Sequence, residues 1–392
     1  MVELSSTLLL IAFIAYLLAT FLFGGAVKSS SSKASKSFDR WGKLAISVTI
    51  IGFISNIGYF IARWIAAGHA PVSNLFEFTT AFGMMVVGAF ILIYFIYRIP
   101  ALGLFALPIA VLIIAYASMF PKDITPLIPA LKSYWLTVHV ITAALGESIL
   151  AISAVAGLIW LLKNIDLTKK SKQRFWIEAV MYVAVLVLGF VAATTTFTLA
   201  DYKVEYNYVN KEDKVLTMEY NMPPIFGMNE SEAITENAMV PLMEMPPLVN
   251  AKKLTIVTWS VIFGTILYIL LRLIFRKRIA AVLQPFASKA NSQFMDEIGY
   301  RSVLIGFPVF TLGALIFAMI WAHEAWSRFW GWDPKEVWAL ITWLFYAAFL
   351  HLRLSKGWQG EKSAWLAVIG FIIIMFNLVA VNLIIAGLHS YA

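Results

Sequence analysis

Cysteine does not occur in this chain of 392 residues, and histidine occurs only five times. The first absence excludes disulfides, thiolate metal sites and cysteine nucleophiles. Charge is also scarce: Asp, Glu, Lys and Arg make up 13% of the residues against 61% hydrophobic types, and the mean hydropathy is +0.81. A water-soluble fold cannot cover its surface with so little charge, so the composition implies an all-α polytopic integral membrane protein. The net charge of +8 does not point to nucleic acid, because the basic residues cluster in short loops between apolar runs, where they set orientation in the bilayer. No internal repeat is evident, and an inverted-repeat transporter therefore has no support.

Apolar runs predict about ten spanning helices, starting near residues 7, 44, 74, 101, 134, 175, 254, 302, 336 and 363; each approaches the ~20 residues needed to cross ~30 Å of hydrocarbon. The first run, Leu8 to Val27, follows Glu3 and precedes its basic residues, the pattern of an uncleaved helix rather than a signal peptide. Lys28 to Lys43, Lys163 to Arg174, Arg272 to Lys289 and Arg353 to Lys362 all fall on one side of a ten-span chain. The positive-inside rule makes that side cytoplasmic and places both termini outside. The whole chain, 1–392, is expected to form a single membrane domain. An acidic loop, 201–250, is inserted outside between helices six and seven; in it, YKVEYNYV and KVLTMEYN alternate around Asn210–Lys214 as a β-hairpin. Residues Ala280–Gly299 read as an amphipathic helix on the inner surface.

Six of the fourteen tryptophans lie between Trp321 and Trp343, in WAHEAWSRFWGWDPKEVWALITW. An ordinary aromatic belt spreads its rings over many helix ends. Their concentration in one external segment, 323–338, suggests a platform for a large, flat, mostly apolar ligand with a few anionic groups, and haem is such a ligand. Without cysteine, histidine is the candidate iron ligand. His139 lies about one turn inside the outer end of helix five and His389 at the outer end of helix ten, level with the tryptophans. Together they would sandwich one iron; alternatively, each merely anchors its helix end at the interface. His351 falls near the inner boundary, and an intramembrane ionisable residue is a functional candidate, so an inner haem position is a second expectation. His69 and His323 read as structural residues or supports for ligands, and Glu147 is expected to face protein or a cavity rather than lipid. Asn382 shares a helical face with His389 and reads as an interhelical hydrogen-bonding group.

FWGWDPKEVWALITW resembles the tryptophan-rich WWD signature of haem-handling proteins, and Asp333-Pro334-Lys335-Glu336-x-Trp338 resembles the CcsA/ResC branch of System II cytochrome c biogenesis. GHAPVSNLFEF, SYWLTVHV, LHLR around His351 and the terminal VNLIIAGLHSYA match in the same order. The resemblance covers roughly residues 45–165 and 300–392. Ser327 and Ala392 stand where glycine is usual, and Glu147 where a small or neutral residue is expected.

This resemblance implies a cytochrome c synthase subunit with haem lyase activity, working with a ResB/CcsB-type membrane partner. It would carry haem b, bound transiently as substrate, to the outer face for thioether attachment to the Cys-x-x-Cys-His of an apocytochrome c. The external ligands map to His139 and His389. The inner one maps to His351, whose counterpart would come from the partner. Trp326, Trp330, Trp332 and Trp338 would supply stacking area and Arg328 or Lys335 a propionate contact. Asp333 belongs to the same segment, and with Glu336 it also suits a helix start. A haem exporter, or a haem-binding assembly subunit without catalysis, remains an alternative reading. The lack of a transit-like extension favours a bacterial cytoplasmic membrane over a plastid thylakoid.

Overall fold

In a computed structural model, residues 1–29, 35–124, 127, 132–209, 214–236, 238–246 and 249–381 are described. Ten helices are long and apolar enough to cross a membrane. Their placement agrees with the hydropathy reading, and the helical form follows because backbone amides in lipid have no water to bond. The eighth span starts ten residues earlier than its apolar run, at Ser292. Contacts divide the chain into two compact units, one of residues 1–169 with 283–379 and one of residues 170–282.

The larger unit contains α1 (Val2–Ser29), α2 (Ser35–Ala67), α3 (Leu75–Tyr97), α4 (Pro100–Ala117) and α5 (Tyr134–Asn164). Pro108 sits inside α4, yet the helix continues across it among buried neighbours. The second half of α5 is rich in Ala, Gly and Ser, so other helices approach its backbone closely. At Gly157 a Cβ would lie 2.7 Å from the Ala364 carbonyl of α12 (Glu361–Phe376). The eighth span is composite: α9 (Ser292–Thr311), a π-helical turn π1 (Leu312–Phe317) and α10 (Ala318–Trp326). Pro308 has already removed one amide from this ladder. The ninth span is α11 (Pro334–Lys356).

Residues 280–299 are not one surface helix. A short helix α8 spans Ile279–Ala287, and Asn291 then starts α9 by accepting from the amides of Gln293 and Phe294. The Asn cap satisfies free N–H groups and turns the second half of the stretch into the foot of a span.

In the smaller unit, α6 (Lys172–Leu199) and α7 (Ala251–Phe275) pack closely, with Gly189 against Gly264 and Ser260. Buried Glu178 accepts from Tyr268 Oη at 2.7 Å and from the amides of Ile279 and Ala280, so one carboxylate stops the start of α8 from leaving donors unpaired. The expected hairpin forms: β1 (Val204–Val209) pairs antiparallel with β2 (Val215–Tyr220) in the register Val204↔Tyr220 to Val209↔Val215. Its turn lies outside the described residues. Tyr206 and Tyr220 meet edge to face at 5.4 Å as its small core. The remaining loop is fastened to α7 by Trp259 Nε1, which donates to the Pro223 carbonyl at 2.9 Å.

Candidate functional site

One end of the larger unit gathers the first turns of α5, the end of α10 and the loop into α11. Ser133 starts α5: its hydroxyl accepts from the Trp135 amide at 3.1 Å and donates to Glu324 at 2.7 Å, tying α5 to α10. His139 lies just over one turn further along α5. Its Nδ1 is 2.9 Å from the Gly313 carbonyl in π1. A carbonyl only accepts, so Nδ1 carries the proton. The imidazole also stacks on Trp321, with ring centroids 5.6 Å apart and planes 13° from parallel. Trp321 is only 2% exposed and meets Trp326 edge to face at 4.8 Å.

π1 makes this arrangement possible. A π turn rotates carbonyls out of the i→i−4 pattern, and such turns are frequent at functional sites. Gly313 must be glycine, because a Cβ there would fall on the Ala143 amide nitrogen of α5. Gly313→Ala is therefore expected to push π1 away from α5 and release His139 Nδ1. The overpacking costs ~1–3 kcal/mol; with His139 as an iron ligand, the loss of its orienting partner would weaken iron binding by ~10–100-fold. A haem titration of the purified variant checks this.

The loop beyond α10 is backbone-strained. Ser327 and Trp332 both have positive φ, 54° and 55°. Ser327 is the left-handed cap of α10, donating its amide to the His323 carbonyl, which explains why glycine suits this position. Ser327→Gly is expected to stabilise the protein by about 1 kcal/mol, read as a higher midpoint in thermal unfolding in detergent. Trp332 is 70% exposed and meets Trp330 edge to face at 6.0 Å. Trp330 Nε1 is buried with no hydrogen-bond partner among the described residues, which is uncommon for an indole N–H. The Arg328 guanidinium lies over Gly331, where a Cβ would come within 2.7 Å of it.

Asp333 and Glu336 form a capping box. Asp333 Oδ1 accepts from the Lys335 amide at 3.0 Å, and Glu336 Oε2 accepts from the amides of Gly331 and Asp333 at 2.7 and 3.2 Å. Pro334 occupies the first helical turn, where its missing N–H costs nothing. Asp333 is buried with Lys335 beside it. Trp338, one turn inside α11, packs on Phe376 of α12 at 4.4 Å.

The structure thus joins His139 to Trp326 through Trp321, an indole absent from the residues proposed as ligand contacts. The sequence signal for it was its level in the span, matching His139; Gly313 carried no signal beyond being a glycine in an apolar run. His323 is exposed and stacks on Phe329 at 4.4 Å. His351 sits at the far end of α11, exposed and two residues before Arg353, which pairs with Asp296 at 2.7 Å. His389 and Asn382 lie outside the described residues. An oriented imidazole stacked on indole surface, with a guanidinium in the loop that follows, fits a haem held through its iron.

Comparison with known proteins bears on this geometry. The family described as "Cytochrome C assembly protein" matches residues 176–389. The cytochrome c biogenesis protein CcsA of Nostoc punctiforme is 32% identical over 342 residues, 84% of this chain and 83% of that one. This chain belongs to the cytochrome c assembly protein family. CcsA of Gloeobacter violaceus is 30% identical over 353 residues, 89% of this chain and 86% of its own. CcsA of Porphyra purpurea is 28% identical over 95% of both chains. The family match takes in π1 and the tryptophan loop, while His139 lies before its first residue.

Proposed function

We propose that this chain is the haem-handling subunit of a cytochrome c synthase, presenting haem at its tryptophan-bearing face for attachment to an apocytochrome c. The observation that carries the reading is the His139 imidazole, oriented by the Gly313 carbonyl and flat against Trp321 at the base of the tryptophan-bearing loop. His389 is the proposed second ligand of that outer site. Trp330 and Trp332 offer apolar surface and an unspent N–H; Arg328 and Lys335 offer positive charge for propionates.

The chemistry supplied by the haem b substrate is a pair of vinyl groups. Each apocytochrome thiol adds across one C=C, forming a C–S and a C–H bond with no net oxidation. The chain's own contribution is positioning: His139 fixes the iron and the indoles limit water around the ring. The face is proposed to be external, since the Lys- and Arg-rich loops lie at the opposite helix ends; the proposed membrane is the bacterial cytoplasmic membrane.

His351 is the proposed ligand of an inner site completed by a ResB/CcsB-type partner. Its support is exposure at the inner end of α11, a helix whose buried residues are only Thr342, Tyr346 and Phe349. The test is attachment of haem to a Cys-x-x-Cys-His peptide by the chain co-purified with its partner. A thioether product formed no faster than with haem alone would overturn the synthase reading.

A further inference from the structure

α6 and α7 run antiparallel, so the first turn of α6 and the last turn of α7 share one end of the smaller unit. Glu178 fixes this neighbourhood, accepting from Tyr268 of α7 and from the amides of Ile279 and Ala280, just beyond Arg278. Lys170, Lys172, Arg276, Lys277 and Arg278 gather there. Glu178 is the only acidic residue in the two helices; it is buried, and those three donors occupy both its oxygens. None of the five cations has a side-chain hydrogen bond or ion pair among the described residues.

Basic residues of the larger unit are spent differently. Lys163 and Lys289 donate to backbone carbonyls, and Arg353 pairs with Asp296. A concentration of bare positive charge repels itself unless anions offset it. The side chains beside these cations set their depth. Phe175 and Trp176 follow Lys172 within one turn and are exposed, Trp176 by 59%. Leu273 and Ile274, just before Arg276, are exposed as well, Ile274 by 70%. On a spanning helix such aliphatic side chains face acyl chains, and Trp settles at the headgroup boundary. Arg276, with φ 52°, ends α7 at that same level. The cations therefore stand among lipid phosphates rather than in bulk water.

We infer that this end of α6 and α7 binds the phosphate headgroups of anionic phospholipids through Lys172, Arg276, Lys277 and Arg278, with Trp176 seated at the boundary. Guanidinium and ammonium groups both donate to phosphate oxygens, and a headgroup that carries its own cation gains less from them. The site is independent of the haem reading.

The test titrates the full-length chain in detergent with phosphatidylglycerol and with phosphatidylcholine, counting bound lipid by native mass spectrometry. The wild type prefers phosphatidylglycerol, and the preference falls as salt rises. Replacing Arg276, Lys277 and Arg278 together with Gln lowers phosphatidylglycerol affinity about a hundredfold and leaves phosphatidylcholine binding unchanged. Removing three charges also weakens the orientation signal, so a milder variant, Lys172→Gln with Lys277→Gln, both exposed, accompanies it and loses about thirtyfold. A wild-type lipid preference in every folded variant overturns the site. So does displacement of phosphatidylglycerol by an equal concentration of inorganic phosphate, the mark of a free-anion site only.

Discussion

His139→Ala is expected to remove the imidazole signature from the haem spectrum of the purified protein and to lower cytochrome c yield by more than about 100-fold, beyond the ~10–100-fold that follows loss of a group that only orients a ligand. Its Nδ1 serves the Gly313 carbonyl and its face rests on Trp321, two contacts that fix the ring's orientation. The protein is expected to fold and insert while haem content falls. A variant with unchanged spectrum and yield would remove His139 from the iron site. Gly313→Ala separates the two contributions: it keeps the ligand but lets it rotate, so its spectrum should be heterogeneous rather than empty.

The second large effect is structural. Arg63 and Glu77, 2% and 1% exposed, form an ion pair of 2.7 Å between α2 and α3. Arg63 also donates to the Lys122 carbonyl at 2.8 Å, and its guanidinium lies 5.1 Å from the centre of the Phe76 ring. The other Glu77 oxygen accepts from the amide and hydroxyl of Ser73. Two helices and two loops thus meet at one pair of charges. Removing one partner strands a buried charge at a cost of ~3–5 kcal/mol, whereas replacing both with apolar residues of similar size costs much less. Arg63→Met alone and Glu77→Leu alone are expected to reduce the folded fraction sharply, and the double variant to recover most of it. Fluorescence-detected size exclusion reads this; a double variant as poor as either single one would argue against charge as the cause.

Much of this is legible in the sequence. The spans followed from apolar runs because lipid leaves the backbone no other way to pair, and the hairpin followed from strict alternation. Asp333-Pro334-x-Glu336 announced a helix start, and the capping box is what those residues form. The turn π1 was not legible: a slipped register depends on how Gly313 meets Ala143, a contact 170 residues apart in sequence that composition does not encode. The stacking of Trp321 on His139 depends on that slip. The Arg63–Glu77 pair was missed for another reason, since two charges fourteen residues apart in loop-flanking positions look like interfacial anchors until the chain folds back. The division into two compact units likewise arises from packing that a hydropathy trace does not carry.

The carboxylate of Glu336 reaches back over five residues to the Gly331 amide, so the indole-bearing loop and α11 move as one piece. With 23 residues, that piece is a rod ~35 Å long. His351 and the Trp330–Trp332 pair thus stand at opposite ends of one lever, so whatever fixes the tilt of one end also sets the aim of the other.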